Sequence, residues 1–373
     1  MTTLFINESK RIKVMNRINT TEQGADLKAL AEEALSHKPY SVTHNGPAIK
    51  GKTNHDYYSQ APYWWPNPED PKGPYIRRDG LFNPHIFLGH KMALRHLCQD
   101  VFILAQAGHY LDQGIYSDHA AKLLEVWFVD VATRMNPNLE FAQAIPGICS
   151  GRGIGIIDTM YYVHLLQGVV FLERDPKYSA VVTGVRAWFE EFLEWMTMSE
   201  KGIDEKLNGN NHSTWWVLQV ATYAVFVGRR DIFDESIEWY KARILPEQML
   251  KDGSFPAEIA RTRSFHYAMF NIHPCVLLCE LAAHQLVDLW HYSDGEGRGI
   301  NKAIAFMLPY IKAPSSWPYP NIDPVKNQRS CTSLLAGERL SNSQLSALDH
   351  SFPQIVGRAE DYTDIFYPLY LLG

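Results

Sequence analysis

Residues 117–134 read SDHAAKLLEVWFVDVATR. Ala120, Leu124, Trp127 and Val131 recur at offsets of 4, 3 and 4, which keeps them on one face of a 3.6-residue helix. The same spacing of apolar residues predicts helices over 23–36, 90–110, 156–173, 178–198, 213–227, 233–245, 265–289 and 301–311. Alternating strand and helix periods are missing, and no Asn-Gly turn lies between strand-like runs. Short Gly-, Pro- or Asp-containing turns between successive helices predict antiparallel helix pairs. No fixed sequence period of the solenoid kind is present. The expected fold class is all-α: a single (α/α) toroid, an incomplete α/α barrel, with a central cleft. Length alone would allow about two to three domains, but no linker divides the 373 residues, so one domain over 1–373 is expected.

Residues 39–84 break the helical pattern and concentrate Pro, Gly and aromatics: NHDYYSQAPYWWPNPEDPKGPYIRRDGLFNP. Long irregular segments in compact domains are usually lids or binding loops, and a lid is expected here.

Composition narrows the function. Hydrophobic residues reach 46% against 20% charged, with 10 Trp and 19 Tyr, so apolar burial can offset chain entropy and disorder is excluded. No apolar run approaches the roughly 18 residues of a membrane span. A net charge of −6 and a pI near 6.2 supply no basic field for duplex nucleic acid. An acidic ligand fits if Arg and His gather in one cleft. The five cysteines, Cys98, Cys149, Cys275, Cys279 and Cys331, are an odd number in apolar or helical contexts and read as buried free thiols. The opening MTTLFINESKR has no apolar core and no small-residue cleavage site, so the chain either stays inside the cell or has lost an export signal.

Three candidate chemistries fall away. Gly151-Arg152-Gly153-Ile154-Gly155-Ile156 lacks the third glycine of a dinucleotide loop and has no βαβ context. His44, His55 and Asp56 match no metal-ligand set, so no metal and no organic cofactor is expected. P-loop, GxSxG and HExxH motifs are absent.

Two clusters remain. Asn210-Asn211-His212-Ser213-Thr214-Trp215-Trp216 opens an apolar helix after a Gly-containing turn. Helix capping explains an Asn there, although two Asn, a His and two Trp exceed the needs of a cap. DGSFPAEIARTRSFHY, residues 252–267, packs Arg261, Arg263, His266 and Tyr267 into seven positions between apolar flanks. A solvated basic turn is one reading and the lining of a concave site the other.

These two elements, the 39–84 segment and AQAIPGICSGRGIGIIDT together resemble the alginate lyase superfamily of polysaccharide lyases. The resemblance covers roughly residues 35 to 290 through four ordered motifs. It implies a helical toroid that cleaves 1,4-linked uronate polymers by β-elimination, removing the C5 proton and expelling the C4 oxygen. Such a site must neutralise the neighbouring carboxylate and stabilise an enolate-like intermediate. By similarity Asn211 and an Arg hold the carboxylate, with His212 close by, and Tyr267 removes the C5 proton and returns one to the leaving oxygen. A free Tyr titrates near pH 10, so adjacent cations would have to lower it. Arg261 is the expected Arg, but its six-residue separation from Tyr267 is one shorter than the family spacing, which leaves Arg263 open. His212 as base with Tyr267 as acid is also open.

In β-linked mannuronate and glucuronate the C5 hydrogen and C4 oxygen share one side, so a single Tyr can serve both in a syn elimination. Guluronate calls for anti elimination and fits less well. The expected partner is therefore an acidic polysaccharide, poly-β-D-mannuronate on family grounds or glucuronan. Tyr57, Tyr58, Tyr63, Trp64 and Trp65 offer ring faces to sugars, and Arg77 and Arg78 offer charge to uronates. The two Trp could instead plug the loop onto the core, and His55-Asp56 could hold the loop or touch substrate. Gln143, Arg152, Arg263 and His266 complete the expected binding residues. A glycoside hydrolase using Glu258 and Asp158, or a binding protein without turnover, are the alternatives.

Overall fold

The computed structural model describes residues 2–20, 22–325, 331–341 and 344–345. Among them the α-helices in chain order are α1 (Glu8–Arg17), α2 (Glu22–Leu35), α3 (Gly89–Tyr110), α4 (Gly114–Leu124), α5 (Tyr162–Leu172), α6 (Ser179–Met198) and α7 (Glu200–Lys206). They continue with α8 (Asn211–Val227), α9 (Arg230–Trp239), α10 (Leu245–Gln248), α11 (Pro256–Ile259), α12 (Ser264–His284), α13 (Ile300–Lys312) and α14 (Cys331–Arg339). Four short strands, which the sequence does not announce, are β1 (Tyr58–Gln60), β2 (Trp64–Trp65), β3 (Ile76–Arg77) and β4 (Phe141–Ala144). The backbone forms two compact units. One holds Met1–Thr2, Arg17–Asn208 and Tyr223–Arg229; the other holds Thr3–Asn16, Gly209–Thr222 and the described residues from Arg230 on.

In the first unit α3 packs against α2, α4 and α5, and α3 and α4 are joined by three residues, as an antiparallel pair requires. The fold-deciding periodicity over 117–134 holds only in part. Ala120, Leu124 and Trp127 are fully buried, whereas Val131 is 76% exposed. After Leu124 the helix widens into a π-turn, Glu125–Val129, closed by Asp130 N–H donating to Glu125 O at 2.8 Å. Trp127 and Phe128 in this wide turn are both buried, and the helix ends with it: Asp130 turns extended at ψ 115°, so Val131 lies in the following turn, off the buried face.

Aromatic rings build this core. Phe128 meets Trp188 edge-on at 4.8 Å, and Phe189 contacts Tyr162 and Tyr223 at 5.5 and 4.9 Å. Such pairs add about 0.5–1.5 kcal/mol each beyond burial. Two of the buried indoles find partners within the core: Trp127 Nε1 donates to Tyr162 Oη at 2.9 Å and Trp188 Nε1 to Met135 O at 2.7 Å. Burial pushes the Tyr162 and Tyr223 phenols well above their ordinary value, so both stay neutral.

The 39–84 segment belongs to this unit. Its β1 runs parallel to β4, pairing Tyr58 with Phe141 and Gln60 with Ala144. Its β2 and β3 form an antiparallel pair, Trp64 with Arg77 and Trp65 with Ile76. Two glycines of GRGIG have a packing cause: a Cβ on Gly151 would lie 2.0 Å from Glu140 O, and one on Gly155 would lie 2.5 Å from Ala142 Cβ. They permit close approach of backbone to β4.

In the second unit α12 packs on α11, α13 and α14. Trp215 of α8 stacks against Phe270 and His273 of α12 at 5.4 and 5.5 Å. Arg339 of α14 donates from Nε and Nη2 to the two oxygens of Glu280, each at 2.8 Å. Cys98, Cys275 and Cys279 are buried free thiols, as expected, but Cys149 is only half-buried. The Cys331 side chain lies outside the described residues.

Candidate active site

The α8 helix begins where the sequence offers two asparagines, and they divide the work. Asn210 Oδ1 accepts from His212 N–H at 2.9 Å, so capping is done by Asn210. Ser213 Oγ accepts from the Gly209 N–H at 2.7 Å, with Gly209 at φ 78°, the left-handed region a glycine enters without strain. Asn211 is thereby released from capping. It is 1% exposed, and both its backbone N–H and its Nδ2 donate to one carboxylate, Glu258, at 2.7 and 2.8 Å.

Glu258 is itself 1% exposed and sits on α11, the single turn of PAEI started by Pro256. Burial raises its pKa; the two hydrogen bonds from Asn211 and the charges of Arg261 and His212 pull the other way. Those opposing influences bring Asn211, His212 and Arg261 around one carboxylate. Arg261 in turn lies over the Tyr267 ring, guanidinium carbon 3.7 Å from the centroid, a close cation–π contact. Tyr267 closes the first hydrogen-bonded turn of α12, its N–H donating to Arg263 O at 3.0 Å, and is 7% exposed. The four residues expected to be catalytic therefore meet in the second unit.

Arg263 and His266 behave differently. Arg263 Nε pairs with Asp323 Oδ2 at 2.7 Å. His266 stacks on Phe270, centroids 5.8 Å apart and 13° between planes, and meets Tyr267 edge-on at 5.4 Å.

The remaining expected binding residues lie in the first unit. Tyr57 and Tyr58 are 1% and 4% exposed, so the flat faces expected of both are enclosed. Tyr57 Oη donates to Asp158 at 3.2 Å, and burial pushes its phenol well above the ordinary range. Tyr58 N–H donates to His90 Nδ1 at 2.9 Å. Tyr63, Trp64 and Trp65 are half-buried, while Arg77 and Arg78 are exposed. Trp65 Nε1 donates to Leu81 O at 3.0 Å, and Arg78 lies 5.4 Å from the Trp65 ring centroid. Arg77 pairs with Asp79 at 2.8 Å. His55 and Asp56 hold the loop separately: His55 Nδ1 contacts Arg134 O at 2.7 Å, and Asp56 accepts from Asn136 Nδ2 at 2.6 Å.

Gln143 is held in the left-handed region at φ 49°, unusual for a residue with a side chain. Its backbone N–H donates to Ser59 Oγ at 2.9 Å, and Arg152 binds both its carbonyl and its Oε1, each at 3.0 Å. Beneath lies Asp158, ion-paired with buried Lys91 at 2.9 Å and accepting from Ser59 Oγ at 2.5 Å. Burial lowers the pKa of Arg152, with Cys149 and Asp158 opposing.

Neither carboxylate considered for hydrolysis is set up as a proton donor, since Asn211 occupies both oxygens of Glu258 and Asp158 is bound by Lys91, Ser59 and Tyr57. Among the described residues no group of three or more His, Cys, Asp or Glu could hold a metal ion. The sequence does not reveal Glu258 as the partner of Asn211, because the two lie 47 positions apart with no shared motif.

The sequence profile of the family described as alginate lyase matches residues 41–317. The crystal structure of an alginate lyase from Bacteroides ovatus is 30% identical and superposes with a TM-score of 0.89, covering 95% of this chain and 97% of that one. Alginate lyase A1-III from Sphingomonas species A1 superposes at 0.55 with 17% identity, over 86% and 88% of the two chains, a likeness of fold alone. The all-α toroid class expected from the sequence is the class shared with these structures. Among curated proteins, an alginate lyase from Pseudomonas syringae pv. tomato is 27% identical over 135 residues, 36% of this chain and 34% of its own. One from Cobetia marina is 30% identical over 113 residues, 30% of this chain and 29% of its own. The matched stretch thus spans about a third of the length of these curated relatives.

Proposed function

Because the chain belongs to the alginate lyase family, we propose that it is a polysaccharide lyase that cleaves poly-β-D-mannuronate by syn β-elimination. The observation that carries this reading is the Arg261 guanidinium stacked 3.7 Å over the Tyr267 ring, beside an Asn211 clamped by Glu258.

In the proposed reaction the uronate carboxylate of the reacting sugar is held by Arg261 and by the second N–H of Asn211 Nδ2, with His212 adjacent. Charge that develops on that carboxylate as C5 loses its proton is stabilised by donors already in place. Tyr267, as phenolate, takes the C5 proton. The C5–H electron pair forms the C4=C5 double bond, the C4–O bond breaks, and Tyr267 returns its proton to the leaving oxygen. No water is consumed, and the products are a 4,5-unsaturated uronate end and a new reducing end. Arg263, paired with Asp323, is assigned no part in carboxylate binding at C5, which supports Arg261 in that role despite the shortened spacing.

In the first unit, half-buried Tyr63, Trp64 and Trp65, together with Arg77, Arg78, Gln143 and Arg152, are proposed as contacts for an acidic polysaccharide, the rings by stacking and the cations by pairing with uronates. Glucuronan presents the same C4–C5 geometry and differs only at C2, so it is the second polymer the site would accept.

Tyr267→Phe tests the assignment. The lyase reading expects turnover of polymannuronate to fall at least about a hundredfold, the scale of a lost general acid–base group, with oligosaccharide binding retained in calorimetry. Turnover within a few-fold of the wild type would remove Tyr267 from the chemistry.

A further inference from the structure

The helix that carries Tyr267 begins without a cap of its own. Arg263, at its N-cap position, makes no side-chain hydrogen bond to the first turn. The first N–H groups of any helix need acceptors from elsewhere. Here a segment from beyond α13, Trp317 to Asp323, supplies one and grips the residues around it. Asn321 Oδ1 accepts from Phe265 N–H at 3.2 Å. Asn321 also forms an antiparallel bridge with Arg263, and Ile322 N–H donates to Thr262 O at 2.9 Å. Ser264, the first residue of α12, donates from Oγ to Pro320 O at 2.6 Å and accepts from Trp317 Nε1 at 2.7 Å. Asn321 Nδ2 donates to Asp323 O, which turns the amide so that its oxygen faces the helix. Around Trp317, Phe265, Tyr310 and Tyr319 pack edge-on at 5.3, 5.0 and 5.0 Å.

Every residue between Arg261 and the first turn of α12 is thus gripped by this strap: Thr262, Arg263, Ser264 and Phe265 each make a hydrogen bond or bridge to it. Tyr267 stands two residues further on, in the turn whose amides are being capped. The family match ends at residue 317, so Asn321 lies outside it.

We propose that Asn321 is a positioning residue: carried on the 317–323 strap, it caps the Tyr267 helix from outside and thereby fixes Tyr267 beneath Arg261. This role rests on the lyase reading above. Without the cap the first turn frays, the stacked arrangement of Arg261 and Tyr267 is populated for less of the time, and turnover falls in proportion to the competent fraction. Substrate binding away from Tyr267 is untouched.

The test is Asn321→Ala and Asn321→Asp in the full chain, assayed on polymannuronate beside the wild type, with thermal midpoints measured for all three. The alanine variant is expected to lose roughly fivefold in kcat with KM unchanged, the order of effect of one lost helix cap. The aspartate variant keeps an acceptor, and its charge suits a helix N-terminus, but it loses the donation to Asp323 O, so it is expected to recover part of the lost kcat. Should Asn321→Ala fold poorly, Trp317→Phe keeps an aromatic ring at the strap, removes the Ser264 hydrogen bond with part of the ring packing, and is expected to lower kcat in the same direction; an unchanged kcat there overturns the role. An active wild type with an alanine variant of equal kcat, or an aspartate variant no better than alanine, overturns the positioning role alone. A wild type silent on every uronate polymer overturns the lyase reading and this role with it.

Discussion

Glu258 puts a carboxylate beside the residues proposed to receive an anionic sugar, and burial makes that carboxylate harder to ionise. Its folded pKa is raised, so the stability this group contributes is complete below the ordinary carboxyl range and is lost as pH rises through the folded value. An ionised Glu258 is therefore kept at a cost in stability, which its grip on Asn211 can explain. Once protonated, it has one oxygen less to accept the Asn211 backbone N–H and Nδ2. The proposed lyase is expected to show an acid limb in kcat/KM with a midpoint above the usual carboxylate range. Glu258→Gln is expected to abolish that limb and to lower kcat/KM roughly tenfold to a hundredfold, the value of a hydrogen bond to a charged group. A variant with an unchanged pH profile would separate Glu258 from the chemistry. Sequence alone pointed to Asn211, His212, Arg261 and Tyr267 because their motifs are local. It left Glu258 as a candidate hydrolase acid because only folding brings α11 against the start of α8.

The seam between α12 and α14 carries two buried titrations of the same sign. Burial holds His273 at about 4, with Nδ1 2.9 Å from Thr332 Oγ1. Burial acts to raise Glu280, but His284 and Arg339 outweigh it and hold the carboxyl at about 2. Both folded values lie below the ordinary 6.5 and 4.5. The stability these groups contribute is therefore complete above those values and lost as pH falls through about 4 for His273 and about 2 for Glu280. The thermal midpoint of the chain is expected to drop between pH 6.5 and 4, and His273→Asn to flatten that stretch of the curve. Glu280→Gln is expected to cost on the order of 3 kcal/mol at neutral pH, because it leaves Arg339 without its bidentate partner. A pH slope identical in wild type and His273→Asn would place the acid sensitivity elsewhere. At this scale helices were legible wherever the 3.6-residue period ran unbroken. The π-turn at Glu125–Val129 was not, since one inserted residue leaves composition unaltered, and neither was the helix end at Asp130, which leaves Val131 in the turn beyond it. The short strands β1 to β4 leave no sequence signal because two to four residues are too few to show an alternating period.

For the whole molecule, class and family were readable because four motifs spread over more than 200 residues keep their order. The strap at 317–323 was not, since it lies past the last of those motifs and meets residues 262–265 more than 50 positions away, with no shared pattern to mark the pairing. A chain with a net charge of −6 must meet a polyanion through local cations and not through overall charge, which is the part proposed for its arginines. The reaction proposed for the chain is a syn elimination on a β-linked uronate polymer. Incubating the purified chain with polymannuronate, polyguluronate, glucuronan and pectate, while recording the ultraviolet absorbance of the unsaturated uronate, tests it most directly. Absorbance is expected to rise with polymannuronate, to rise also with glucuronan if the C2 configuration is not sensed, and to stay flat with polyguluronate and pectate. Flat traces on all four polymers, or a rise confined to polyguluronate, would contradict it.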